Sequence, residues 1–200
     1  MEFIYRLTCN CGWAEIEFSH ENFSRTYAVE NCLGDNLIEL LGGMVALSGF
    51  RRDYMPFCEI ADHICKDPDN DFSWTVADRG TSTKFIFNIN ESNNTINLKI
   101  IEQFYNDMNE NCVFDKDINL DELIDSLLSS YGHILKNYGI IGYYENFWEE
   151  FPISFYLLLK DYREHKFNYN IFVEENIEGK LQSMFKIDIF TELEYLRPKE

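Results

Sequence analysis

From Phe3 onward the apolar positions fall on every second residue. Phe3, Tyr5, Leu7, Cys9, Cys11 and Trp13 share one side of an extended segment, and period-two alternation of this kind predicts a strand. The alternation then changes side. Ala14, Ile16 and Phe18 become the apolar positions, with Glu15 and Glu17 opposite, so one residue is inserted near Gly12, as a β-bulge or a tight turn over Asn10 to Gly12 would do. On that reading Cys9 and Cys11 are buried thiols and Trp13 is a core anchor. SRTYAVEN, residues 24–31, gives a further strand.

The period then becomes helical. Leu33, Leu37, Leu40, Leu41, Met44 and Val45 form a stripe facing the core. Gly42 and Gly43 interrupt it, each at about 1 kcal/mol relative to alanine in a helix interior, which predicts another element packed closely against them. MPFCEIADHICKDPDND, residues 55–71, reads as a short helix with Pro56 in its first turn, followed by an acidic loop. DFSWTVAD, TKFIFNIN and TINLKIIEQF, joined by turn-rich segments, predict an antiparallel meander of three strands. Next, Asn119 and Glu122 match a capping box. Leu120, Leu123, Ile124, Leu127, Leu128, Tyr131, Ile134 and Leu135 form the stripe of the helix they start, and Gly139 ends it. After Pro152, ISFYLLLKDYREHK predicts a heavily buried helix, apolar on nearly every side as far as Lys160.

Together these segments predict an α+β fold. One antiparallel sheet of about five strands, from a hairpin and a three-strand meander with a helix between them, packs against two or three helices. The 200 residues suit one domain. Residues 166–200 form a candidate C-terminal appendage, and periodicity leaves its helix or strand character open.

Composition narrows the partners. Aromatic residues make up 16% of the chain, too many for a solvating, disordered segment. The net charge of −18 opposes the phosphate backbone, so nucleic acid is not expected. No apolar run reaches the length of a membrane span, and MEFIYRLTCN lacks the basic n-region of a secretory signal. A cytoplasmic protein with reduced thiols is the expectation.

Candidate chemistry is sparse. Cys9 and Cys11 at strand spacing lie about 6.5 to 7 Å apart between Cα atoms, beyond the usual disulfide range, so a strain-free bridge is not expected. Pairing them with Cys58, His63 and Cys65 as zinc ligands gives a spacing unlike the common knuckles. Cys65 also belongs to an apolar stripe with Phe57, Ile60, Ala61 and Ile64, and Glu59 and His63 form an i,i+4 pair. Two acidic segments superficially resemble calcium loops: DPDNDFSWTVAD with Asp67, Asp69, Asp71 and Asp78, and DKDINLDELIDS with Asp115, Asp117, Asn119 and Asp121. Both lack the required glycine, replaced by Phe72 and Leu120, and Ser126 stands where the second needs its closing glutamate. His20, His63, His133 and His165 are scattered, and no nucleophile elbow, phosphate loop or zinc-protease motif is present. No cofactor is called for.

Charge is distributed more tellingly. Residues 101–150 hold eleven acids and two bases, Lys116 and Lys136, and so half of the net charge. Phe104, Tyr105, Phe114, Tyr143, Tyr144 and Trp148 are interleaved with them. Acids beside aromatic anchors are what a face for a basic protein partner uses; a solvated surface over a core is the plainer alternative. The candidate protein-binding residues are Asp115, Asp117, Asp121, Asp125, Tyr144 and Trp148.

Several segments together resemble a family of uncharacterised bacterial proteins. The matching positions are Gly12, Trp13, Ala14 and Glu15 of a G-W-A-E strand; Leu33, Gly34, Asp35 and Leu37 of an L-G-D-x-L helix start; and Gly142, Tyr143, Trp148, Phe151 and Pro152 of a late G-Y…W…F-P segment. The likeness covers most of the chain up to about Arg163. It departs at Ala77-Asp78-Arg79-Gly80, where members often carry E-P-G. The family brings no activity with it. Small acidic proteins of this kind look like immunity proteins that neutralise toxins, which implies a non-enzymatic inhibitor of a basic toxin or nuclease. A metal-dependent enzyme using Cys58, His63, Cys65 or the aspartate segments, and a structural or oligomer-forming protein, are the competing expectations. Oligomeric state is left open.

Overall fold

The computed structural model describes residues 1–9, 13–30, 36–48, 71–78, 80–90, 94–105, 109–147, 150–165, 172–177, 180–185, 193–194 and 196–197. It is an α+β protein. Strands β1 (Glu2–Cys9), β2 (Trp13–His20) and β3 (Phe23–Glu30) form an antiparallel sheet in that order. After α1 (Asn36–Leu47), strands β4 (Asp71–Ala77), β5 (Thr81–Asn90), β6 (Thr95–Phe104) and β7 (Glu110–Asn119) form a second antiparallel sheet, again in chain order. Helices α2 (Leu120–Phe147) and α3 (Ile153–His165) follow, and then a hairpin of β8 (Phe172–Ile177) and β9 (Lys180–Phe185).

Two expectations about the sheets are corrected. The strands do not form one sheet of about five; the meander gains a fourth strand and stays separate from the N-terminal sheet. The added strand, β7, reads as an acidic loop in sequence because Asp115 and Asp117 point to solvent while only Phe114 and Ile118, on either side of them, are buried. Charges on an edge strand are how sheets avoid pairing with other chains. Within residues 166–200, the described residues 172–177 and 180–185 are strands, residues 193, 194 and 196 are helical, and Leu196 packs against the core.

The N-terminal pattern is largely confirmed. Phe3↔Phe18, Tyr5↔Ile16 and Leu7↔Ala14 are cross-strand partners, and the register slips between Leu7 and Cys9. Residues 10–12, where the alternation predicted the irregularity, lie outside the described residues, as do both thiols, of Cys9 and Cys11. Trp13 is corrected: it is half-buried, on the face opposite Ala14, Ile16 and Phe18, because the strand's buried set begins at Ala14.

The inner faces of the two sheets meet in an aromatic core. Phe3 lies 6.3 Å from Trp74 and 6.2 Å from Phe85, and Tyr27 meets Phe85 edge-on at 5.5 Å. Phe18 meets Phe114 edge-on at 5.1 Å. Such offset geometries satisfy the ring quadrupoles, and each fully buried ring contributes roughly 1.5–3 kcal/mol through lost apolar exposure. On one flank, α1 packs on β4. A Cβ at Gly43 would fall within the Phe72 ring, so the glycine expected to admit a close neighbour does so.

On the other flank, α2 closes the edge of β1. Ser126 Oγ accepts from Phe3 N–H at 2.6 Å and donates to Phe3 C=O at 3.1 Å. Ser130 does the same for Tyr5, at 2.8 and 3.0 Å. Residues i and i+2 of a strand and i and i+4 of a helix both advance about 6 to 7 Å, so two serines one turn apart match Phe3 and Tyr5, two residues of β1 whose backbone groups point to the open edge. The helix thus stands in for a missing strand. Its start follows the sequence: Asn119 Oδ1 caps Glu122 N–H at 3.0 Å, and Leu120, Leu123, Ile124, Leu127, Leu128, Tyr131 and Ile134 are buried. Helix α3 is less buried than its composition predicted: Tyr156, Leu159, Asp161 and Tyr162 are inside, whereas Ile153, Phe155, Leu157 and Leu158 are only partly covered.

Candidate protein-binding face

The acids that the sequence grouped into one face separate into distinct settings. Asp115 and Asp117 stand on the outer face of β7, opposite Lys99 and Asn97 of β6. Asn97 Nδ2 donates to Asp115 Oδ1 at 3.1 Å and to Asp117 Oδ1 at 3.3 Å, and Lys99 Nζ lies 3.2 Å from Asp115 Oδ2. The Asn97 hydrogen bond, and then Lys99, hold the Asp115 carboxyl below its ordinary range. These contacts are solvent-exposed and contribute little to stability, and both aspartates are exposed. On the opposite face of β7, Lys116 pairs with Glu21 of the β2–β3 turn, and Lys116 first of all lowers the Glu21 pKa.

Asp121 and Asp125 stand in a different setting. They lie one turn apart in the first turns of α2, and Arg163 of α3 takes both. Its Nε and one Nη donate to the two oxygens of Asp125 at 2.6 Å each, and the other Nη lies 2.6 Å from Asp121 Oδ2. Tyr162 Oη donates to Asp121 Oδ1 at 2.9 Å. Chelation by two carboxylates raises the Arg163 pKa, the Asp125 hydrogen bonds most. A fork of this geometry is the strong form of an ion pair. The two aspartates therefore join α3 to α2. The i,i+4 spacing of the acids was visible in sequence; nothing local marked Arg163, 38 residues beyond Asp125, as their counter-ion.

Tyr144 sits far along α2, and Trp148 lies outside the described residues. Between Asp121 and Tyr144 the helix breaks: Gly139 adopts φ 64° and ψ −178°, a region essentially restricted to glycine. The sequence placed the helix end there, but the chain resumes helical geometry and runs on to Phe147. At about 100° per residue, an unbroken continuation of the stripe through Leu127, Tyr131 and Ile134 would carry Ile141 inward. Instead Tyr143 is buried and Ile141 is 79% exposed, with Ile140 at 46% and Tyr144 at 50%. Asn146 Nδ2 bonds back to Gly142 C=O at 2.6 Å on the more covered side.

The calcium-like segments take other roles. The described part of the first is strand β4 and a turn, in which Asp78 Oδ1 accepts from the N–H groups of Gly80 and Thr81 at 2.8 Å each, the Asx turn that joins β4 to β5. The second is β7 and the start of α2. Asp67, Asp69, Cys58, His63 and Cys65 lie outside the described residues, and among the described residues no cluster of three or more His, Cys, Asp or Glu side chains is placed to hold a metal. Cys112 is a free, exposed thiol. His20 stacks edge-on against Phe114 at 6.0 Å, and His133 is exposed on α2.

An open groove of about 1510 Å³ runs between β1 and α2. Its lining mixes Arg6, Lys136 and Lys160 with Glu2, Glu122 and Asp125 over the apolar Ile4, Leu7 and Ile134, without a convergent set of titratable groups. No helix among the described residues is long and apolar enough to cross a membrane. Comparison with known protein families, curated proteins and solved structures gave no match.

Proposed function

We propose that this is an acidic protein-binding module, of the kind that inhibits a basic toxin or nuclease by capping it. One observation supports the reading above the others: in residues 101–150, the most acidic quarter of the chain, Glu110, Asp115, Asp117, Glu122, Glu145 and Glu150 are exposed on β7, on α2 and just beyond it. A surface of one sign accelerates encounter with a partner of the other and screens with salt.

The test uses the partner recovered by pulldown with the full chain. Asp115→Lys with Asp117→Lys avoids the Arg163 clamp and should slow association and flatten its salt dependence. Association kinetics unchanged by that double reversal, or recovery of only acidic proteins in the pulldown, would sink the reading.

A further inference from the structure

We infer that the groove between β1 and α2 takes an extended acidic segment of a partner protein, which adds as a strand to the edge of β1 beyond Tyr5. The serines of α2 cover only the first part of that edge. Phe3 and Tyr5 turn their N–H and C=O groups to Ser126 and Ser130, and strand alternation turns those of Leu7 to the same side, away from β2. One helical turn past Ser130 stands Ile134, which has no hydroxyl to offer them. Strand β1 nonetheless runs on to Cys9, and Leu7 lines the groove. An open edge of this kind pairs with an added strand through its main chain.

The lining selects the partner. At about 1510 Å³ the open groove exceeds the roughly 300–1,000 Å³ of small-molecule pockets, and it suits a length of chain. Its acids, Glu2, Glu122 and Asp125, belong to the end marked by the Phe3–Ser126 pair, and Asp125 is held by Arg163. Past Ser130 the charge is positive. Lys136 lines the groove from α2, and Lys160 Nζ lies 5.9 Å from the centre of the Tyr156 ring, whose hydroxyl packs against Gly132. Arg197 also lines the groove. Acids outnumber bases in this chain by 35 to 17, yet among the described residues none forms an ion pair with Lys136, Lys160 or Arg197. Carboxylates on the added strand would meet these cations. A second copy of this chain fits less well, because two-fold pairing of the β1 edges would bring the same lysines together. No residue of β7 lines the groove, so the site does not rest on the acidic-face reading.

Three synthetic peptides of one length test the inference at about 0.15 M salt, where distant charges are screened. The first alternates valine and glutamate, the second valine and glutamine, and the third is the first with every amide N-methylated so that it cannot pair as a strand. Titrated against the full chain, the valine–glutamate peptide should bind about tenfold more tightly than either of the others, through charge contacts in one comparison and main-chain hydrogen bonds in the other. The net charge of −18 favours the glutamine peptide, so a preference for glutamate reports the local cations. The double variant Lys136→Glu, Lys160→Glu, checked by circular dichroism for retained fold, should lose that preference with the glutamine peptide's affinity unchanged. Binding of the glutamine or the N-methylated peptide as tight as that of the first, or a preference for glutamate that survives in the variant, would overturn the inference. So would the absence of binding by all three at roughly millimolar concentration.

Discussion

The two stretches of α2 on either side of Gly139 carry similar residues and use them in opposite ways. Before the glycine, Leu123, Leu127, Tyr131 and Ile134 are buried, while Ser126 and Ser130 bond the edge of β1. Beyond it, Ile140, Ile141 and Tyr144 are turned outward. Hydrophobicity along the helix does not distinguish the two; the direction of each stretch does, and one residue sets the change of direction. An isoleucine in the first stretch holds the fold together, and one in the second is held out from it.

The largest effect that would sharpen this contrast is Leu127→Ala. It opens a cavity between α2 and the sheets and should cost about 2–5 kcal/mol in urea unfolding. Gly139→Ala comes next. Alanine does not tolerate the observed backbone angles, so strain of roughly 1–3 kcal/mol is expected, with faster amide exchange confined to the residues after 139. Exchange raised evenly along α2 would instead show that the two stretches are not separate. Ser130→Ala leaves the buried N–H and C=O of Tyr5 without their partner and should cost about 1–3 kcal/mol; no change would mean that the hydroxyl is not closing the edge of β1. The smallest effect belongs to Ile141→Ser, within about 0.5 kcal/mol of the parent. A loss comparable with Leu127→Ala would show that Ile141 is part of the core and would erase the contrast.

Two of the sheets' outer edges, β1 and β7, differ in the same instructive way. At β1 the open edge is covered by serines from a helix more than a hundred residues away. At β7 the edge is left in solvent and guarded by Asp115, Lys116 and Asp117, all exposed. Alternation made β1 plain in sequence, because its apolar residues are large and regularly spaced. It left β7 unrecognised, since only Phe114 and Ile118 report its inner face and the bulge near Ile100 and Ile101 of β6 offsets the pairing. Asn119 as a cap and Leu120 to Ile134 as a stripe were equally legible, for they depend on spacings of three and four residues. Arg163 was not, because what it neutralises is set by how α3 lies on α2.

The sequence by itself determined the strands with regular alternation, the cap and stripe of α2, the need for a neighbour close to Gly43 and the excess of acid around residues 101–150. All of these follow from local periodicity, backbone propensity or a count of charges. Only the tertiary structure decided that the strands divide into two sheets, that Asp121 and Asp125 are bound to Arg163, and that Ile141 faces water. Pairing between distant segments depends on which surfaces meet, and the angle that a single glycine gives to the chain after it leaves no mark in the pattern of apolar and polar residues.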